Sequence, residues 1–312
     1  MDQATQRYLV EEQLEQYRDG WINRREFIRR AGLLGVAVGI ATAMAGTVTP
    51  LRRSDVAFAQ GTSPYSVPEG DPSVSTDRVS YQSTDGVMVE AYLAWPAGLP
   101  MQQSAPGVAV CHENMGLNPH TEDVARRFAK QGYVAIAPDL VSRVGPPTRE
   151  LPDQSAVMAA YQQLSADQNA YDFLAALDFL KAHPAVDGTK LAATGYCFGG
   201  GVIWRLTTIA PELRAAAPFY GSNPPLEDVP NMRAAVFGVY GGLDERLNAG
   251  IPELEPALQA AGVTYRIKIY PSSEHGFHSD FRPAYNPVTA PEAWVDTLNW
   301  FAQNMGLPAP AV

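Results

Sequence analysis

The chain is predicted to fold as an α/β domain: a mostly parallel sheet with helices on both faces, entered through an antiparallel hairpin. Three observations predict it. Short apolar runs alternate with amphipathic helical stretches along most of the chain, the pattern of strands buried on both sides by crossover helices. A turn signal, Thr84-Asp85-Gly86, separates two alternating apolar segments near the start, which is the pattern of a hairpin. Finally, 46% of residues are hydrophobic and only 18% charged, a composition that excludes wholesale disorder.

Taken in order, Arg78–Ser83 and Val87–Trp95 form the hairpin. Gly107–Cys111 is a short apolar strand, followed by a loop and a helix over Thr121–Gln131, and Val134–Ala137 is a strand closed by Pro138-Asp139. One long helical segment covers Gln154–Ala182, with Phe173, Ala176, Leu177 and Leu180 at helical spacing. Leu191–Thr194 is a strand and Val202–Ile209 lies in the helix after it. Ala215–Tyr220, Ala234–Val239 and Tyr265–Ile269 supply three more strands, with a helix at Pro252–Ala261 between the last two. A closing helix over Pro291–Asn304 carries Trp294, Leu298 and Phe301 on one face. No internal repeat or second domain is visible.

The first 59 residues have a different character. Asn23-Arg24-Arg25-Glu26-Phe27-Ile28-Arg29 precedes an uncharged run from Ala31 to Pro50, and Ala57-Phe58-Ala59 is a small-x-small site that would place cleavage before Gln60. Paired arginines, a mildly apolar Ala/Gly-rich stretch and such a site resemble a twin-arginine export signal. Arg52 and Arg53 between the run and the site fit that route better than general secretion. Residues 1–59 are therefore expected to be an address outside the fold, 60–77 a Ser/Pro/Gly-rich linker, and 78–312 the folded domain. The implied partner is the twin-arginine translocation machinery, and the implied destination is periplasmic or extracellular. An uncleaved membrane anchor is the alternative, although Gly, Ala and Thr dilute the apolar run.

The net charge is −10, with residues 60–312 at −11 and residues 1–59 at +1, so no electrostatic footprint for nucleic acid or an anionic membrane exists. Two cysteines cannot make a disulfide framework, and zinc-ribbon spacings are missing.

Chemistry enters at Leu191–Gly201, where an apolar strand runs straight into a helix through Gly195-Tyr196-Cys197-Phe198-Gly199. This is a Gly-x-nucleophile-x-Gly elbow, with Cys where most α/β-hydrolases have Ser. The turn brings its flanks close together, so Gly195 and Gly199 stand where a Cβ would clash, and the Cys197 sulfur is placed at a helix N-terminus, which favours thiolate. A buried, inert cysteine is the bland alternative.

A thiol nucleophile needs a base and a group to orient that base, and in this fold they follow in the order acid, then histidine. Asp244 follows the strand Ala234–Val239 and His275 follows Tyr265–Ile269, both on loops at strand ends. His278 is the rival base, His183 is a surface or capping residue, and His112 and His120 belong to an earlier loop. His275, His278 and Asp280 can also be read as metal ligands, but no fourth ligand is apparent and no metal is expected. The oxyanion hole is expected from the backbone N–H of Phe198 and of Asn114, in the loop after the strand Gly107–Cys111. Cys111 and Cys197 are expected to remain unlinked, since joining them would remove the nucleophile.

Together the Gly-Tyr-Cys-Phe-Gly-Gly elbow, the Glu113-Asn114-Met115-Gly116-Leu117 loop, and the Gly-Gly-Leu-Asp and His-Gly-Phe-His segments resemble the dienelactone hydrolase family over residues 78–305. The resemblance implies a single α/β-hydrolase domain, a Cys197-His275-Asp244 triad, no cofactor, and a small ester or lactone as substrate. It also implies that Glu113 contacts the resting thiol and helps control when it ionises, with bracing of the oxyanion loop through backbone hydrogen bonds as the alternative. Arg282 and Arg143 are candidates for substrate contact, with solvated surface arginines as the alternative. Competing functions are a carboxylesterase or peptidase on the same fold, and a non-catalytic extracytoplasmic binding protein.

Overall fold

The computed structural model describes residues 3–18, 22–48, 63–100 and 104–311. Three N-terminal helices, α1 (Gln3–Arg18), α2 (Arg24–Leu33) and α3 (Val38–Gly46), precede the sheet. The hairpin is β1 (Val74–Gln82) and β2 (Met88–Pro96), followed by β3 (Ala105–Cys111), α4 (Pro119–Lys130) and β4 (Val134–Pro138). Then come α5 (Gln154–Tyr161), α6 (Ala166–Ala182), β5 (Val186–Tyr196), α7 (Phe198–Thr207) and β6 (Ala215–Phe219). The chain closes with β7 (Ala235–Gly241), α8 (Glu245–Asn248), α9 (Ile251–Ala260), β8 (Tyr265–Tyr270) and α10 (Thr289–Met305).

The eight strands form one sheet in the order β1-β2-β4-β3-β5-β6-β7-β8. β1 pairs antiparallel with β2, and β2 with β4. Every pairing from β4 through β3 to β8 is parallel. The predicted α/β architecture with its leading hairpin is the one observed, and the hairpin turn is the expected one, with Gly86 at φ 89°.

Each sheet face carries its own core. On one side Phe128 of α4 meets Trp294 edge-on at 4.6 Å between ring centroids and stacks on Phe301 of α10. On the other, Phe173, Leu177 and Leu180 of α6 pack with Trp204 of α7 and Leu254 and Leu258 of α9. The central strands present small residues there, such as the wholly buried Ala215-Ala216-Ala217, which let helices lie close to the sheet.

Three boundaries differ from expectation. The helix predicted over Gln154–Ala182 is two helices, because the Ser165 side chain accepts from Gln168 N–H at 3.2 Å and starts a new one. The segment read as linker is partly integral: Val74–Asp77 extend β1, and Val67 is buried. Its N–H donates to Asp123 Oδ1 at 2.6 Å and its carbonyl accepts from Arg126 Nε at 2.7 Å. Apolar periodicity cannot reveal such backbone-to-side-chain anchoring.

The third difference is the largest. Residues expected outside the fold form α1, α2 and α3, with a small core of Leu9, Val10, Tyr17, Phe27, Ala31 and Leu34. α1 packs against the hydrolase domain, where Gln13 Nε2 lies 3.4 Å from Met158 Sδ of α5. The expected cleavage site Ala57-Phe58-Ala59 and Arg52-Arg53 lie outside the described residues. Among the described residues, no helix is long and apolar enough to cross a membrane.

Candidate active site

The site lies at the C-terminal ends of β3, β5, β7 and β8, where a parallel sheet exposes loops rather than paired backbone. β5 ends at Tyr196 and α7 begins at Phe198, leaving Cys197 alone in the turn at φ 59°, ψ −120°. A non-glycine residue holds such a conformation only when its surroundings force it. Here the forcing is steric. A Cβ on Gly195 would strike the Gly199 backbone, and one on Gly199 would lie 2.7 Å from the Cys111 carbonyl oxygen. Cys197 N–H is held by the Phe219 carbonyl at 3.1 Å.

Asp244 caps α8, accepting from Leu247 N–H at 3.3 Å, and its Oδ2 lies 2.6 Å from His275 Nδ1. The loop after β8 can approach because Gly241 has no side chain. A Cβ there would lie 2.5 Å from the Ser273 carbonyl oxygen. Asp244 therefore holds the Nδ1 edge of the ring and leaves Nε2 facing Glu12 Oε1, at 3.2 Å. Cys197, His275 and Glu12 of α1 each place a ligating atom within 4.8 Å of the other two. All three side chains are buried.

Phe198 is the first residue of α7, a position whose N–H has no partner within its own helix. Asn114 sits in the loop after β3, and its carbonyl accepts from Gln154 Nε2 at 3.2 Å. Its side chain bonds α1 instead: Nδ2 donates to Glu12 Oε2 at 3.1 Å and Oδ1 accepts from Gln16 Nε2 at 3.1 Å.

The carboxylate on the thiol is not the expected one. Cys197 Sγ donates to Glu12 Oε2 at 2.9 Å, whereas Glu113 Oε1 accepts from Arg282 Nη1 at 3.4 Å. Glu113 acts on the sulfur only through its charge, and less strongly than Glu12 does. Arg282 is buried beside it, a neighbour of the site rather than a surface residue. Arg143 corrects the other expectation: it bonds Asp172 Oδ1 at 2.6 Å and pairs with Asp85, tying α6 to the hairpin turn. It is a brace.

Sequence reasoning missed Glu12, Glu15 and Arg246. Arg246 Nη2 lies 3.1 Å from Glu12 Oε1, 3.5 Å from Glu15 Oε1 and 3.5 Å from His275 Nδ1. Its place two residues after Asp244, at the start of α8, was the one available signal.

Electrostatics describe a resting site. Burial pushes the Cys197 thiol up to about 11, with the Glu12 carboxylate adding to it. Burial would lower His275, but Glu15, Glu12 and Asp244 together raise it well above the usual histidine range. Burial would likewise raise Glu12 and Asp244, yet His275 and Arg246 hold both carboxyls below their ordinary values. The favoured form is thus a neutral thiol beside an imidazolium, and an imidazolium has no lone pair with which to take the thiol proton.

The other histidines have structural posts. His112 Nδ1 bonds the Glu113 carbonyl at 2.7 Å, and its Nε2 accepts from Leu140 N–H at 3.2 Å. His278 stacks on Tyr196 at 4.8 Å, and burial depresses its pKa well below normal. His183 caps the end of α6. Asp280 is engaged by Arg127 at 2.9 Å and His120 at 3.1 Å, so it is not joined with His275 and His278 in a ligand set. Two other groups, Glu12-Cys197-His275 and Glu15-Asp244-His275, have metal-binding atom types within reach. Both depend on the one imidazole, and Arg246 already supplies the cation beside their carboxylates.

A cavity of about 410 Å³ abuts the turn, walled by Phe198, Val202, Tyr161, Leu164 and Arg205, with Leu9 of α1 as a further wall.

A strand–elbow–helix on a parallel sheet, with an acid and a histidine at the ends of two later strands, defines a hydrolase of the α/β-hydrolase fold. The dienelactone hydrolase family model matches residues 89–305, and the chain belongs to that family. A Methylorubrum extorquens protein provisionally named carboxymethylenebutenolidase is 33% identical over 238 residues, covering 72% of this chain and 80% of its own. One of the same provisional name from Salmonella typhimurium is 31% identical, covering 80% and 96%. Among solved structures, a provisionally named dienelactone hydrolase from Klebsiella pneumoniae superposes with a TM-score of 0.67 at 30% identity, covering 74% of this chain and 99% of its own. A dienelactone hydrolase-like promiscuous phosphotriesterase from metagenomic libraries gives 0.65 at 25% identity, covering 75% and 100%.

Proposed function

We propose that the protein opens a small ester or lactone by nucleophilic catalysis. Cys197 attacks the carbonyl carbon, His275 takes the thiol proton and returns it to the leaving oxygen, and Asp244 holds the imidazole in the tautomer this needs. Phe198 and Asn114 N–H groups receive the developing oxyanion. Water then hydrolyses the thioester, with His275 as base, and releases the acid. The observation that carries this reading is the 2.6 Å contact of Asp244 with His275 Nδ1, with a His275 ring nitrogen within 4.8 Å of the sulfur of the strained Cys197. A panel of small lactones and p-nitrophenyl esters tests it, with Cys197→Ala as control. Lactones turned over better than acyclic esters support the family's namesake chemistry, and turnover that survives in Cys197→Ala overturns the mechanism.

Export by the twin-arginine route is part of the same proposal. Its support is the Arg24-Arg25 pair, exposed at the start of α2 ahead of the mildly apolar α3.

A further inference from the structure

Glu12 is wholly buried, and its carboxylate accepts hydrogen bonds from three separate parts of the hydrolase domain and lies within ion-pair distance of a fourth. Oε2 accepts from Cys197 Sγ at 2.9 Å, on the nucleophile turn, and from Asn114 Nδ2 at 3.1 Å, on the loop after β3. Oε1 lies 3.1 Å from Arg246 Nη2, on α8, and 3.2 Å from His275 Nε2, after β8. Burying a charge costs several kcal/mol unless it is paired and hydrogen-bonded, so this carboxylate stays only because the site is built to receive one. Ester hydrolysis leaves a carboxylate at this place, its oxygens between the sulfur and the histidine.

We infer that α1 is an intramolecular inhibitor of the active site, with Glu12 bound as a mimic of the carboxylate product, and that withdrawal of α1 turns the enzyme on.

The rest of α1 fits that role. Glu11, Glu12 and Glu15 all face Arg246, at 3.6, 3.1 and 3.5 Å. Gln16 bonds Asn114, Arg18 pairs with Glu274 at 3.2 Å beside His275, and Leu9 walls the cavity next to Phe198. Glu12 also holds the thiol in its neutral, poorly nucleophilic form, since a neighbouring negative charge disfavours thiolate. The latch behind the helix is Arg30, whose Nη1 donates to Gln13 at 3.2 Å and Gln16 at 3.1 Å. Arg30 directly follows the Asn23–Arg29 segment, within the residues read as an export address. Whatever grips that segment therefore competes for the contacts that hold α1 down, and activity is coupled to release of the N-terminus.

The inference rests on the reading of Cys197 as nucleophile, and the test separates the two. Full-length chain, Glu12→Ala, Glu12→Gln and Arg30→Ala are compared for the rate of iodoacetamide alkylation at Cys197, read by peptide mass, and for p-nitrophenyl acetate hydrolysis. Circular dichroism checks that each variant is folded. Arg30 does not touch the site, so Arg30→Ala reports on the latch without altering the reacting groups. Glu12→Ala should alkylate at least ~10-fold faster than wild type, because a site closed nine-tenths of the time reacts at about a tenth of its open rate. Arg30→Ala should move the same way by less, and hydrolysis should rise in parallel. Equal alkylation rates in wild type, Glu12→Ala and Arg30→Ala would overturn the inhibitor. Faster alkylation with no ester hydrolysis in any variant would uphold shielding by α1 and overturn the hydrolytic reading instead.

Discussion

The Sγ of Cys197 donates a hydrogen bond to Oε2 of Glu12 at 2.9 Å, across 185 residues of chain. This contact adds to burial in keeping the thiol neutral, and the pH dependence of alkylation should show it. Burial and then Glu12 disfavour the charge of the thiol and push it up to about 11. The alkylation rate should therefore climb well into the alkaline range. Glu12→Gln removes a negative neighbour, so thiolate becomes easier to form and the profile should shift down by ~1 pH unit or more. Glu113→Gln should shift it less, because the Glu113 carboxylate faces Arg282. A larger shift from Glu113→Gln would return control of the thiol to Glu113.

The proposed triad should fail as a unit. Cys197→Ala and His275→Ala should each lower turnover by ~10³-fold or more, and the double variant should lose little beyond either one. Steady-state kinetics on the best lactone or ester, in a background freed of Glu12, measures this.

The elbow should tolerate no side chain at Gly199. Its Cβ would lie 2.7 Å from the Cys111 carbonyl oxygen, backbone that cannot move without breaking the β3–β5 pairing. Gly199→Ala should cost about 3 kcal/mol of stability in urea unfolding, at the upper end of what overpacking costs. A loss under 1 kcal/mol would mean that the turn is less crowded than the structure indicates.

Asp280 should carry part of the acid limb of stability. Arg127 and His120 bind it, and Ser63 N–H donates to it at 3.0 Å, fastening residues before β1 to the loop after β8. Burial would raise its carboxyl, but His120 and Arg127 hold it far below the normal range. A depressed native pKa contributes stability above the unfolded value of ~3.9 and loses it as pH falls through the acid range. Asp280→Asn should destabilise by about 3 kcal/mol near neutrality and flatten the loss below pH ~4, read by thermal unfolding against pH.

Export should depend on the arginine pair. Replacing Arg24 and Arg25 together by Lys should leave the full-length chain in the cytoplasm, while the exported wild type should begin at Gln60 on N-terminal sequencing. Equal export of the double variant would remove the twin-arginine reading.

Cys197, Asp244 and His275 were legible in the sequence because each follows a short apolar strand in a local pattern: an elbow flanked by glycines, then two strand-end loops in order. The fold was legible for the same reason, since strand and helix periods are written into neighbouring residues. Tertiary structure alone decided the rest. Arg143 proved to be a brace because Asp172 and Asp85 reach it from elsewhere in the chain. Glu113 turned to Arg282, 169 residues away. Glu12, in a segment that reads locally as an address, became the carboxylate on the Cys197 thiol. Side-chain pairing across such separations depends on which charges the fold strips of water together, and no local pattern encodes that.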